Sequence, residues 1–351
     1  MLSVGLVGLP NAGKSTLFNL LTKRSVPAEN FPFCTIDPNS GIVEVPDERV
    51  KNLGEMSKSQ KEIYTAIEFT DIAGLVKGAS TGAGLGNKFL SHIREVDLML
   101  FVLRAFQDDD IIHVENRVDP QEDFDILLLE LVLADQGSLE KQLPKFQKDA
   151  RGSSDKLAGE KLEIIEKFIA LLVAGKPANE LVFDIGTDKD LIKWRKTLNL
   201  LTDKPFLKLA NTKREGQNVD FASDFKLDIL EETELADLTI EDRIELGVEG
   251  KTGIDQMIQA CYKKLSLATF LTTGEVESRA WTFRVGMKAP ECAGVIHTDF
   301  EKKFIKAEVV SFEDLMSCGG EKQASEQGKL RQEGKEYQMV DGDVVEFKIG
   351  G

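Results

Sequence analysis

Apolar residues run unbroken from Leu2 to Val7 apart from Ser3 and Gly5, and the run stops at Gly8. That is the pattern of a short parallel strand buried on both faces. Gly13-Lys14-Ser15-Thr16 then leads into Leu17, Phe18, Leu20 and Leu21, an apolar stripe at helical spacing. Thr65 to Phe69 reads as a second strand ending at Asp71-Ile72-Ala73-Gly74. Five glycines follow between Gly74 and Gly86, a density that regular structure tolerates only at a large entropic cost, so a mobile loop is predicted. Asn87 to Glu95 predicts a helix, and Leu98 to Leu103 another buried strand. Strands alternating with helices predict an α/β domain with a parallel, doubly wound sheet.

The character changes near Asp119-Pro120. Ile126, Leu129, Leu133, Leu139, Leu143 and Phe146 recur at helical spacing, and Arg151-Gly152-Ser153-Ser154 breaks the pattern. Leu162, Ile165, Phe168, Ile169 and Leu172 resume it, and Leu191, Trp194, Leu198 and Leu201 extend it. This predicts a coiled-coil-like helical hairpin inserted into the sheet domain. Strand character returns at Phe206 to Leu209, before Asn211. Beyond Leu267 alternation dominates, at Trp281, Phe283 and Val285 and again at Val345, Phe347 and Ile349, the latter after the turn pair Asp341-Gly342. The expected organisation is a discontinuous nucleotide-binding domain (1–120 and 204–266), a helical insertion (121–203) and a small α+β domain (267–351).

The chain has 351 residues, is 42% hydrophobic and 30% charged, and therefore has ample material for a core. Its 44 Lys and Arg against 60 Asp and Glu give a net charge of −16. Such a balance argues against indiscriminate coating of nucleic acid or anionic lipid, and against sequence-specific DNA binding as the main task. Lys141, Lys145, Lys148, Arg151 and Lys156 nevertheless gather near the hairpin tip, readable either as a solvated face or as a docking patch. No apolar run has the 18–20 or so residues that a membrane span requires. The N-terminus carries no leader pattern. Cys34, Cys261, Cys292 and Cys318 are scattered without zinc or disulfide spacing, so a reduced, cytoplasmic protein is expected.

Gly8-Leu9-Pro10-Asn11-Ala12-Gly13-Lys14-Ser15 matches the phosphate-binding pattern G-x-x-x-x-G-K-[ST], between a predicted strand and a predicted helix. Its glycines let backbone N–H groups curl around phosphate, and the helix N-terminus adds favourable partial charge. Lys14 would bridge the terminal phosphates, and Ser15 would offer its hydroxyl to magnesium. Asp71, at a strand end, can hold the same ion through water, and the Gly74 N–H can touch the γ-phosphate. Thr35, within Phe31-Pro32-Phe33-Cys34-Thr35, sits where a switch threonine would complete the magnesium shell. Two positions leave the guanine-nucleotide plan. Leu75 stands where a water-orienting glutamine is expected, and Asn211-Thr212-Lys213-Arg214 replaces N-K-x-D. Arginine cannot accept the two N–H groups of guanine.

These strings, with Asp71-Ile72-Ala73-Gly74-Leu75-Val76-Lys77-Gly78-Ala79, Asp110-Ile111-Ile112-His113-Val114 and Ala293-Gly294-Val295-Ile296-His297-Thr298-Asp299-Phe300-Glu301, resemble the YchF/Obg-like ATPases over nearly the whole chain. The resemblance implies a Ras-like P-loop NTPase domain with a helical insertion and a C-terminal ubiquitin-like β-grasp module of the TGS type. It implies a monomeric ATPase that prefers ATP to GTP and is linked to the ribosome, its large subunit in particular, to translation and to stress responses. Asn11, Ala12, Gly13, Lys14, Ser15 and Thr16 would wrap the phosphates, and Ser15 and Thr35 would hold magnesium. Asn211 and the backbone of Thr212 would face the adenine. Catalysis would pass to a loop histidine, which maps to His113, and Asn11 would help to hold potassium.

Three features depart from the family. Arg214 replaces an acidic residue, the stretch from Glu215 to Ile229 is short for a helix plus strand, and Leu230 to Glu234 keeps little of the base-contacting loop. These leave phosphate binding untouched and put base selection and the sheet edge in question. The alternatives are an Obg-type GTPase rescued by Glu215, and a ribosome-binding module whose hydrolysis is incidental. A small-molecule kinase finds no arginine-bearing lid. His92 and His297 are expected to be structural or surface residues, and Trp194 and Trp281 core.

Overall fold

A computed structural model describes residues 2–25, 39–72, 84–108, 117–152, 154–181, 189–245, 247 and 250–350. Thr35, Gly74 and His113 lie outside the described residues. Twelve strands occur among the described residues: β1 (Ser3–Val7), β2 (Ser40–Glu44), β3 (Glu62–Ile63), β4 (Ala66–Asp71), β5 (Leu98–Arg104), β6 (Phe206–Asn211), β7 (Phe225–Leu227), β8 (Leu267–Thr272), β9 (Ser278–Arg284), β10 (Phe304–Ser311), β11 (Arg331–Glu333) and β12 (Asp343–Ile349). They form two six-stranded sheets. The chain divides into two compact units, 1–41 with 68–253 and 42–67 with 254–351.

The first sheet has the order β2-β4-β1-β5-β6-β7. β1 runs parallel to both β4 and β5, and β5, β6 and β7 continue in parallel. Every residue of β1 and β5 is buried, which explains why both read as continuous rather than alternating apolar runs. One layer above them, Phe89, Ile93, Phe124, Leu127 and Leu131 pack on Val7, Met99, Phe101 and Leu103. The rings of Phe101 and Phe124 meet edge to face at 5.1 Å. Strand order reverses around β1, because the chain builds β4 on one side of it and then β5 on the other. A crevice therefore opens at the carboxyl end of β1, the usual ligand site of a doubly wound sheet.

The short stretch before Ile229 still yields an edge strand. Phe225–Leu227 pairs in parallel with Leu209–Asn211, so the sheet edge questioned from the sequence is intact, although no helix precedes it. The insertion forms two helices, Pro120–Gly152 and Ala158–Val173, packed through Leu139, Ile164, Ile165, Phe168 and Leu172. Leu129 and Leu133, read into the same apolar stripe, are instead exposed, because the first half of the long helix turns Phe124, Leu127 and Leu131 onto the sheet. A further helix, Lys189–Thr197, adds Leu191 to that core, and Leu198 follows it. Trp194, expected in the core, is partly buried at its edge, with its ring 5.8 Å from that of Phe146.

The second sheet has the order β11-β10-β12-β8-β9-β3. The β8–β9 hairpin is antiparallel, β12 runs parallel beside β8, β10 and β11 follow antiparallel to β12 and β10 respectively, and β3 closes the other edge parallel to β9. A parallel central pair flanked by antiparallel strands, with the helix Ala289–Ile296 packed on one face, is a β-grasp arrangement. Trp281 is again partly buried, and Val285 lies beyond β9 with 67% of its surface exposed, so the alternation read through it stops one residue too late.

Residues 42–67 and 254–266 were expected in the nucleotide-binding domain and instead pack in the unit of the second sheet. Val50 and Leu53, one turn apart on the helix Glu48–Ser57, enter a cluster with Leu271, Ala280, Val310 and Leu315. Arg49 fixes the segment by donating to Asp47 at 2.7 and 2.9 Å and to Asp341 at 2.8 Å. Helical spacing shows that such a helix has an apolar face, but not which core receives it.

Candidate functional site

The turn after β1 is shaped by contacts that only glycine allows. A Cβ on Gly8 would lie 2.4 Å from the carbonyl oxygen of Val102, a backbone atom with no freedom to yield. Gly13 has φ 101°, and its Cβ would lie 2.4 Å from the Asn211 amide nitrogen. Between them Asn11 is left-handed, with φ 63°. Gly13 caps the helix Lys14–Lys23 without any side-chain bond, so the first N–H groups of that helix remain directed at the crevice.

Lys14 is 7% exposed, and its ammonium donates to the Leu9 carbonyl at 2.8 Å. The amine is thus folded back across the loop it serves. Burial lowers its pKa from the ordinary lysine value, and the Asp71 carboxylate opposes that shift. Ser15 Oγ donates to Asp71 Oδ2 at 3.2 Å, joining the helix start to the end of β4. Asp71 Oδ1 is buried and has no hydrogen-bond partner among the described residues. A buried, orphaned carboxylate oxygen beside a hydroxyl is a donor set suited to a hard divalent cation that keeps much of its water. Magnesium therefore fits at Ser15 and Asp71, where it would screen phosphate charge.

Asn211, at the end of β6 and 6% exposed, uses both ends of its carboxamide. Its nitrogen donates to the Ala12 carbonyl at 3.0 Å, and its oxygen accepts from Ile229 N–H at 3.4 Å. One side chain thus ties the phosphate loop to the start of the helix Ile229–Ala236. Next to it lies a cavity of about 330 Å³ that Asn11, Gly13, Thr16, Asn211 and Thr212 share with Phe106, Asp108, Lys213 and Asp228. Of the residues singled out in the sequence, Ala12, Lys14, Ser15 and Asp71 gather at the turn after β1, and those five gather around the cavity.

The sequence did not single out Phe106, Asp108, Lys213 or Asp228. Lys213 Nζ pairs with Asp108 at 2.6 Å and lies 5.8 Å from the centre of the Phe106 ring. Asp228 caps the helix Ile229–Ala236, taking Leu230 N–H and Glu231 N–H at 3.1 Å each, and also accepts from Arg214 N–H at 2.8 Å. Its signal was present as Asp228-Ile229-Leu230-Glu231, an N-cap pattern. Arg214 turns its guanidinium onto Glu231 and does not line the cavity, and Glu215 is exposed and does not line it either. Thr212 gives its N–H to the Leu227 carbonyl at 2.9 Å, so of its two backbone polar groups the carbonyl is the one left to face a ligand. His92 and His297 are both exposed, and His297 caps the N–H of Asp299 at 3.2 Å.

Residues 3–132 match a family described as a 50S ribosome-binding GTPase, and residues 267–350 match the YchF GTPase C-terminal family, described as a protein of unknown function (DUF933). The chain is 48% identical to a protein of Bacillus subtilis named ribosome-binding ATPase YchF, with 99% of each chain covered. A protein of the same name from Escherichia coli O157:H7 is 44% identical, with 98% of each covered. The solved structure of the Schizosaccharomyces pombe YchF GTPase is 37% identical and superposes with a TM-score of 0.85, covering 99% of this chain and 97% of that one. With identity of this order sustained from end to end, and the phosphate loop, Asn211 brace and β-grasp sheet in place, the chain belongs to the YchF family.

Proposed function

We propose that the protein is a ribosome-associated ATPase that binds ATP with magnesium in the crevice between Gly8–Thr16 and Asn211–Lys213, and slowly hydrolyses it to ADP and phosphate. One observation carries the choice of base. Both carboxylates lining the cavity are already engaged, Asp108 by Lys213 and Asp228 by three backbone N–H groups. The fourth residue of the N-x-x-x run, Arg214, faces Glu231. Guanine would thus bring two N–H donors to a site without a free carboxylate, whereas adenine asks for a single neutral acceptor of the kind that the Thr212 carbonyl supplies beside Asn211. A charge-assisted hydrogen bond is worth about 1.5–3 kcal/mol, so ATP should bind roughly 10- to 150-fold more tightly than GTP. Equilibrium titration of the purified chain with each nucleotide and magnesium measures this. Equal or GTP-favoured binding overturns the reading and returns the Obg-type GTPase.

The names of the relatives support association with the ribosome, and that of the N-terminal family its large subunit. Magnesium would be held by Ser15 and Asp71, joined by Thr35, and the Gly74 N–H would meet the γ-phosphate. A potassium ion at Asn11, a TGS-type role for the C-terminal module, nucleotide-dependent switching and a cytoplasmic location rest on the family resemblance. Among the described residues, no helix is long and apolar enough to cross a membrane. The same resemblance gives His113 the place of the missing glutamine in orienting the attacking water. His113→Ala should therefore slow single-turnover hydrolysis by about 10²-fold or more, as loss of a positioned catalytic group does, with ATP affinity nearly unchanged. Undiminished single-turnover rates would remove His113 from the mechanism.

A further inference from the structure

We propose that the free edge of β12 accepts, as an added strand, an extended segment of a partner protein in which basic and apolar side chains alternate. This site lies outside the nucleotide crevice and does not depend on the ATPase reading. Phe312 N–H donates to the Gly342 carbonyl at 2.9 Å, and from Ser311↔Asp343 to Ala307↔Phe347 β10 and β12 stay in unbroken register. Antiparallel bonding alternates along a strand. Val344 and Glu346 therefore turn their backbone groups to β10, and Val345 and Phe347 turn theirs to the other side. On that side β12 meets β8 at Val344↔Leu271, and β8 ends one residue later at Thr272. The chain then turns away towards β9, with the Thr273 hydroxyl held 2.8 Å from that of Ser57 and 2.6 Å from that of Ser278. Among the described residues, no hydrogen bond reaches the Phe347 N–H across this gap.

The gap opens into a cavity of about 540 Å³ at the edge of β12. Val345 and Phe347 line it on the face that packs with Ile296 and Phe300. Val344 and Val310 line it on the face that packs with Leu315 and Leu330. The residues from Val345 to Ile349 run past the pairing with β8, which gives about 16 Å of strand. A bare edge of this kind pairs with an extended chain through main-chain bonds, and the pockets beside it select alternate side chains.

Charge decides the occupant. The titratable side chains that line the cavity are Glu275, Glu308, Glu321 and Glu346, with no lysine, arginine or histidine among them. Glu308 and Glu346 stand directly opposite each other, on the face of Val310 and Val344. Lys306 and Lys348 offset part of that charge: Glu308 pairs with them at 2.9 and 3.5 Å, and Lys348 also reaches Glu346. The lining and its ion-pair partners thus set four carboxylates against two ammonium groups. Such a cleft repels the phosphates of a nucleic acid and attracts lysine and arginine. Side chains of the added strand that fall instead beside Phe347, Ile296 and Phe300 meet apolar surface, so a basic residue is called for at every second position and an aliphatic one between.

The test uses the full chain and a fluorescein-labelled, end-capped heptapeptide of alternating lysine and valine, long enough to span the free edge. Binding is read by fluorescence anisotropy, and exchange of the Phe347 amide by NMR. The peptide should bind saturably and slow exchange of that amide by about tenfold or more. Glu321→Gln/Glu346→Gln should weaken binding roughly 2- to 30-fold, as expected for two exposed charge pairs, with ATP turnover unchanged. The same peptide with glutamate in place of lysine should not bind. No binding of the lysine peptide, or binding that leaves Phe347 exchange unchanged, overturns the proposal. So does a Gln variant that binds as tightly as the parent, or a glutamate peptide that binds equally well. Protection of the same amide by a uridine heptanucleotide overturns it in favour of nucleic acid, and protection that grows with protein concentration alone overturns it in favour of a second copy of the chain.

Discussion

Lys14→Met should lose ATP hydrolysis and keep or gain stability. The side chain is buried on a loop whose glycines leave no room for adjustment, and its ammonium is satisfied by the Leu9 carbonyl. Burial lowers its pKa, so the folded protein holds a charge there at a cost in free energy that a bound phosphate would offset. Methionine has similar length and carries no charge. Removing a preorganised donor aimed at developing charge typically slows the chemical step by about 10²–10³-fold. The midpoint of thermal unfolding without nucleotide should stay the same or rise, and the stabilisation given by added ATP should shrink. The pH dependence has a definite sign. Because the folded state binds this proton more weakly than the unfolded chain, stability rises with pH in the interval from the lowered folded value up to about 10.4. In Lys14→Met that part of the rise disappears. Hydrolysis within tenfold of the parent, or an identical alkaline stability profile, would contradict this account.

The geometry of the turn after β1 was legible because its information is local. Gly8 to Thr16 are contiguous, and the residue types needed to wrap a phosphate and start a helix follow directly from backbone geometry. β1 and β5 were legible for a related reason, since a strand buried on both faces leaves an unbroken apolar run that needs no partner to be seen. The hairpin was legible because its helices exceed several turns, although the long helix packs on two cores in succession and leaves Leu129 and Leu133 exposed between them. The cavity that the proposed function gives to the base was less so. Asn211 and Thr212 came from the family resemblance, which gave no hint that the Asn211 amide nitrogen braces the Ala12 carbonyl across 199 residues of sequence. Nor does any sequence pattern announce that Lys213 meets Asp108, a pairing made by two loops at neighbouring strand ends. β7 has three residues, too few to display a period of two. The segment 42–67 shows its amphipathic helix plainly, yet its assignment depended on which of two cores was nearer in space, and periodicity carries no such information.

Asp135 sets the second large expectation, and it too was invisible in the sequence, where a single acid on a helical repeat reads as solvated. It is fully buried. Its Oδ1 accepts from Leu201 N–H at 2.8 Å, and its Oδ2 accepts from Thr202 N–H at 2.8 Å and Thr202 Oγ at 2.7 Å. The Thr202 hydroxyl in turn accepts from Ala178 N–H at 2.9 Å. The carboxylate therefore joins the long helix to the turn Leu201–Asp203, which feeds β6 and, at its far end, Asn211. Asp135→Ala strands buried donors that each cost about 1–3 kcal/mol when unpaired, so a loss of about 3 kcal/mol or more is expected in denaturant unfolding. Asp135→Asn should recover little of it, because its amide would present a donor to groups that already donate. Here the pH sign is opposite to that of Lys14. Burial outweighs the hydrogen bonds and raises the Asp135 pKa, so the folded state holds this proton more tightly than the unfolded chain. Its contribution to stability is present below the ordinary aspartate value of about 3.9 and falls as pH rises to the raised folded value. The Asn variant should lack that decline. ATP affinity, measured well below the unfolding temperature, should stay close to the parent, since Asp135 touches neither the phosphate loop nor the base cavity. A variant as stable as the parent would show that the junction between hairpin and sheet is held by the apolar packing of Leu127, Leu131 and Leu201 alone.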